Sequence, residues 1–107
     1  MATVQGRLYS DVVTVTTAGT AVTVATSKQR FEWIAMHALD TNTGKIFYGN
    51  KAGDVASTTG MFLAPDDAEK LDFRNNVSGE GSLGGEKLFI DSAVDGGKVA
   101  IVGWLER

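Results

Sequence analysis

The chain reads as an all-β protein, an antiparallel β-sandwich or jelly-roll of about seven or eight short strands. Three observations lead there. Valine and threonine alternate at period two in Val12–Thr16 and again in Thr20–Thr26, the spacing of a strand with one buried face. Turn-forming clusters such as Asp40–Gly44 and Asp95-Gly96-Gly97 recur between apolar runs,. Thirteen glycines stand against one proline with no Gly-X-Y period, which suits many tight turns and excludes a collagen-like rod.

At 107 residues there is room for one core and not for two. Met1–Ser10 has little periodicity, so residues 1–10 are expected to form a flexible arm and residues 11–107 a single domain,. Val12–Thr16 and Thr20–Thr26 then pair across the turn Thr17-Ala18-Gly19. Arg30–Leu39 and Lys45–Gly49 are expected to form a central hairpin across Asp40–Gly44,. In that strand alternation places Phe31, Trp33, Ala35, His37 and Leu39 on one face and Glu32, Ile34, Met36 and Ala38 on the other. Phe31, Ile34, Ala35, Ala38 and Leu39 also fit an amphipathic helix,; the strand-like Ile46-Phe47-Tyr48 beyond the turn favours the hairpin. Asn50–Thr59 is a small-residue polar connection.

Met61–Ala64 is a short strand stopped by Pro65, which cannot donate to a ladder,. Asp66–Lys70 suits one helical turn or an exposed bend, Leu71–Phe73 a strand with one apolar face, and Asn75–Glu86 a loop,. Lys87–Val94 and Lys98–Leu105 flank Asp95-Gly96-Gly97 as a closing hairpin,. In the last strand Val99, Ile101 and Leu105 face one way and Ala100, Val102 and Trp104 the other. Such a strand is central in its sheet or has one face covered by another subunit.

Several chemistries find no support. There is no cysteine for a disulfide or thiolate site,. A net charge of −3 argues against nucleic acid as partner,. The longest apolar run is far short of a membrane span, and the first residues lack a charged-then-apolar leader, so synthesis in a cytoplasm is expected,. The acids are uneven: Asp54–Asp95 holds nine against Lys70, Arg74 and Lys87, whereas Met1–Arg30 holds Asp11 against Arg7, Lys28 and Arg30. A solvated acidic surface is the preferred account, the other being a basic end and an acidic end that meet in neighbouring subunits. Gly79–Gly84 satisfies G-x-G-x-x-G literally, but a strand rather than a helix follows, so no dinucleotide cofactor is expected,. His37 is the sole histidine, a packed residue rather than a catalyst,. Asp66, Asp67, Glu69 and Asp72 lack the spacing of a calcium loop,. No catalytic residue, metal site, cofactor or small-molecule substrate is therefore expected. Trp33, Trp104, Tyr48 and Phe62 are the large aromatics open to a recognition role; Trp33 is expected in the core and Trp104 in the core or a subunit contact,.

One longer pattern spans about Val22 to Leu105. It runs Ile34, Ala38-Leu39, Asn42-Thr43-Gly44, Ile46, Tyr48-Gly49, Val55, Gly60, Leu63-Ala64-Pro65, Leu71, Phe73, Leu88-Phe89-Ile90 and Gly97-Lys98-Val99. It resembles the small β-sandwich virion proteins of tailed bacteriophages, of the type that decorates or cements the capsid. Relatives often carry Gly-Glu after the proline, where this chain has Asp66-Asp67. The resemblance implies a structural protein on the capsid exterior, bound to the major capsid protein as a homotrimer and bracing the shell against DNA pressure. On that basis Thr3, Val4, Gln5, Arg7, Leu8 and Tyr9 of the arm are expected to contact the shell. Val102, Trp104 and Leu105 are expected at the subunit interface. The alternative is a tail-fibre or tail-tip module for carbohydrate or a receptor, which would use Trp33 and Tyr48 in a groove.

Overall fold

The computed structural model describes residues 8–50, 61–74 and 82–106. Their nine strands are β1 (Leu8–Val15), β2 (Val22–Thr23), β3 (Arg30–Ala38), β4 (Ile46–Gly49), β5 (Met61–Leu63), β6 (Ala68–Asp72), β7 (Leu83–Gly84), β8 (Phe89–Ser92) and β9 (Gly97–Leu105). They form two antiparallel sheets packed as a sandwich. The first has the order β1-β9-β3-β6, with β7 pairing the start of β3; the second has the order β2-β8-β4-β5. Between them lies a core led by Val15, Phe31, Ile34, Met36, Ile46, Ile90, Val99 and Ile101, all essentially inaccessible. Residues 30–38 are extended as β3, so the helical alternative is excluded.

None of the three expected hairpins forms. β1 and β2, β3 and β4, and β8 and β9 each fall in opposite sheets, so every one of these turns is an arch that carries the chain across the core. Period-two alternation states which side chains share a face, and turn chemistry states that the chain reverses. Neither states whether the returning strand bonds beside its predecessor or stacks over it. Here stacking wins because both strands of each pair present an apolar face, and each face needs an opposing layer.

The arches are held by side chains that replace missing ladder bonds. The backbone N–H groups of Ala18 and Gly19 donate to Asp95 Oδ1 and Asp91 Oδ1, at 2.8 and 2.9 Å. Asn42 pairs through its side-chain amide with the backbone of Lys98, donating at 2.8 Å and accepting at 2.9 Å. Gly96, at φ +82°, donates to the carbonyl of Val15, a left-handed conformation for which glycine has no steric penalty.

Other elements depart from the sequence reading. β1 starts at Leu8, so Leu8, Tyr9 and Ser10 belong to the folded sheet, opposite Trp104, Gly103 and Val102. β2 shrinks to two residues, although Val24 N–H still donates to Leu88 O. The bend expected over Asp66–Lys70 is confined to the turn before Ala68, where β6 begins. β7 and one 3-10 turn, Gly85–Lys87, occupy part of the expected 75–86 loop; residues 79–81, half of the Gly79–Gly84 motif, lie outside the described residues. A bulge at Glu32 changes the parity of β3. Phe31 therefore points inward with Ile34, Met36 and Ala38, while Trp33, Ala35 and His37 point outward,.

β9 lies between β1 and β3, so the long closing strand is central. Gly103 is required there: a Cβ would sit 2.5 Å from Phe31 Cδ1 and 3.1 Å from the carbonyl oxygen of Trp33. Gly103→Ala is expected to destabilise the fold by about 1–3 kcal/mol through overpacking. Asp91→Ala, which strips a buried acceptor from the Gly19 amide, should cost about 1.5–3 kcal/mol. The exposed Asp95→Ala should cost less. Denaturant unfolding of the three variants checks both the values and the order.

Candidate interaction surface

The outer face of the β1-β9-β3-β6 sheet is assembled in cross-strand rows. Leu8 lies opposite Trp104, and Trp104 opposite Trp33. The next row is Ser10, Val102 and Ala35, followed by Val12, Ala100 and His37. Leu8, Val12 and Val102 are 57%, 50% and 40% exposed, while Trp33, Ala35, Ala100 and Trp104 are half-buried. An apolar surface thus spans three adjacent strands. At the usual strand spacing and rise it measures roughly 15 by 15 Å.

Charged side chains border this surface. Lys98 closes the β9 row at one end, opposite Thr14. Along β6, Lys70 Nζ sits 4.8 Å over the Trp33 ring, a cation–π contact. His37 Nε2 is 2.9 Å from Asp66 Oδ1, so the lone histidine ties β3 to the turn before β6. Asp72 is hydrogen-bonded by Arg74, whose guanidinium and backbone N–H hold its carboxyl far below the usual carboxylate range. The arrangement is an apolar centre with a polar rim, the anatomy of a protein contact.

The end of β9 is fixed by a polar clamp. Ser82 Oγ–H donates to Glu106 Oε1 at 2.8 Å, and Arg30 Nε–H donates to the same oxygen at 2.9 Å. A second Arg30 nitrogen reaches the Ser82 carbonyl at 3.2 Å. The Ser82 hydrogen bond, aided by that of Arg30 and its charge, lowers the Glu106 pKa against the effect of burial. The clamp ties the end of β9, which carries Trp104, to the start of β3.

The expected site residues separate accordingly. Val102 and Trp104 share the open face, but Leu105 is turned inward opposite Phe31 and packs on the core, so it leaves the surface set. Tyr9 also leaves the expected arm: its ring meets Phe31 edge-on at 5.3 Å between centroids,. Burial, then the charge and hydrogen bond of Asp11, raise its pKa. Leu8 stays exposed, but as part of β1. Thr3, Val4, Gln5 and Arg7 lie outside the described residues. Trp33 is on the outer face and not in the core. Tyr48 is buried on β4 in the other sheet, so the groove expected to unite Trp33 with Tyr48 does not exist.

Elsewhere, Met61 and Phe62 are exposed on the edge strand β5, with Lys45 Nζ 4.3 Å over the Phe62 ring. A cleft of about 290 Å³ lies at the arch end, between Thr41–Thr43 and Val94–Lys98. Among the described residues no group of three or more His, Asp or Glu is placed to hold a metal ion. No helix among them is long and apolar enough to cross a membrane.

No protein-family model matches the chain, and no curated protein matches it significantly. Solved structures give distant likenesses. The coat protein dimer of Tobacco streak virus aligns at 11% identity and TM-score 0.37, covering 95% of this chain and 89% of that one. A subunit from the disulfide-linked pili of Bacillus endospore appendages aligns at 13% identity and TM-score 0.40, covering 94% and 90%. A second crystal form of the same viral coat protein gives 11% and 0.37, covering 91% and 86%. These values are too low to carry a function from those proteins to this chain.

The clamp makes a pH prediction. Because the folded Glu106 pKa is lowered from 4.5, its contribution is fully present above about pH 4.5 and is lost as pH falls through the lower, folded value. Unfolding measured between neutral pH and pH 3 should show a shallower acid-side decline in Glu106→Gln than in the parent.

Proposed function

We propose that this chain is a structural protein of a phage virion, of the capsid decoration or cement type, which attaches to the outside of the shell. The observation that carries the proposal is the open apolar face of β1, β9 and β3. It places two tryptophans and Val102 on a rigid sheet with a charged rim, a surface suited to holding a neighbour rather than enclosing a substrate. The resemblance of the sequence pattern to phage decoration proteins suggests the kind of neighbour. In this proposal Val102 and Trp104 meet further copies in a homotrimer, and residues 1–7 reach the major capsid protein. Linked copies gain from avidity, since the second and third shell contacts form at high effective concentration. An extended segment joining an exposed sheet edge on the shell provides attachment through backbone hydrogen bonds.

The structure limits how attachment can be tested. Removing residues 1–10 would delete Leu8, Tyr9 and Ser10 from β1 and strip Phe31 of its aromatic partner. A truncation ending at Arg7 keeps β1 whole. This truncated chain is expected to unfold like the parent yet lose binding to expanded, undecorated phage shells, as read by co-sedimentation and imaging. Val102→Asp should change the stability of the isolated domain by about 1 kcal/mol or less and convert the oligomer to monomer in sedimentation equilibrium. An intact chain that ignores such shells, or that binds a glycan instead, would overturn the proposal.

A further inference from the structure

Among the described residues β1 is an edge strand, eight residues long, with the sequence Leu-Tyr-Ser-Asp-Val-Val-Thr-Val. It has no proline, lysine or glycine, and most of it favours extended structure. A long apolar edge of this kind is a template for pairing with another chain. Its one charge occupies a telling position. Asp11 shares the inward parity of Tyr9, Val13 and Val15, all packed on or in the core, yet it remains exposed. Its Oδ1 accepts a hydrogen bond from the Val12 N–H at 2.8 Å.

We infer that Asp11 closes the β1 edge against strand addition by a second copy of this chain. This inference is independent of the virion assignment. The second copy is the relevant partner because β1 is nearly self-complementary. Two antiparallel β1 strands would join two first sheets into one, with Tyr9 opposite Val13 or Val15 on the inner side and, in the register centred on Val12, Val12 opposite Val12 on the apolar outer face. Keeping inward side chains on one side allows two near-central registers. In one, Asp11 lies directly opposite Asp11 of the other copy. In the other, Asp11 faces Val13, and the two carboxylates are diagonal neighbours about 7–8 Å apart. Either way like charges meet on the face that closes over the core. Pairing would also set the incoming carbonyls in competition with Asp11 for the Val12 N–H. An inward-pointing charge on an edge strand is a recognised means of preventing such pairing.

Charge exchange tests this directly. Asp11→Thr should strengthen self-association at least tenfold over the parent in sedimentation velocity, with cooperative melting retained. Asp11→Lys restores a like-charge clash and should sediment as the parent does. An equimolar mixture of parent and Asp11→Lys sets an ammonium on one copy against the carboxylate of Asp11 on the other. It should associate beyond either component alone, and that gain should be lost at high salt. The mixture keeps the test valid if the threonine variant folds poorly. A mixture that sediments as the sum of its components would overturn the inference. So would equal self-association of the lysine and threonine variants.

Discussion

The fold depends on acceptors placed where the chain changes sheets. At each arch the backbone leaves one hydrogen-bonded ladder before it joins the next, and its polar groups need other partners. Asp91 and Asp95 take the amides of Gly19 and Ala18, and Asn42 satisfies the Lys98 backbone in both directions. Lys45 O accepts from Ala93 N–H, and a Cβ on Gly44 would press on the Ala93 and Val94 side chains at 3.2 Å. The three arches therefore support one another at one end of the sandwich. Asp91 matters most: it is buried and accepts from both Gly19 and the buried Ser92, and a buried amide left unpaired is costly.

At the opposite end Arg30, Ser82 and Glu106 do a related job with charge. Between the two ends, β9 spans the domain and serves both surfaces. Val99 and Ile101 are inaccessible inside, while Val102 and Trp104 meet the exterior. Gly103 lets Phe31 lie against the strand backbone, and Tyr9 packs on the edge of that ring. The strand that presents the open face is also the one most tightly gripped from within. An attachment surface benefits from that rigidity, because little side-chain or backbone freedom remains to be lost on binding.

Much of this was legible in the sequence, because alternation is a local property. The strands of the core, the two-faced character of β9 and the all-β class all follow from residues two apart. The pairing of strands is not local. Asp95-Gly96-Gly97 has the composition of a tight hairpin, yet Gly96 docks on Val15, in the first strand of the chain. That choice depends on Asp91 and Asp95 finding Gly19 and Ala18, which no window of sequence displays. The bulge at Glu32 likewise reassigns Phe31 and Trp33 to opposite faces for reasons that lie in β9. The outer surface was half visible. Ala100, Val102 and Trp104 were evident as a stripe, but Leu8 and Val12 join it only through pairing with Trp104 and Ala100.

An open apolar face and an exposed strand edge raise the same difficulty for a small β-domain, since both attract copies of the chain. They differ in how specific the resulting contact is. A face with two tryptophans, a stacked lysine and a defined rim can select a partner by shape. A strand edge offers only repeating backbone groups and accepts almost any extended chain. It is therefore consistent that the face is left open while the edge carries a charge at the one parity where burial is costly. The alternation that builds the core of β1 thus also determines, at Asp11, which of the two surfaces remains available for association.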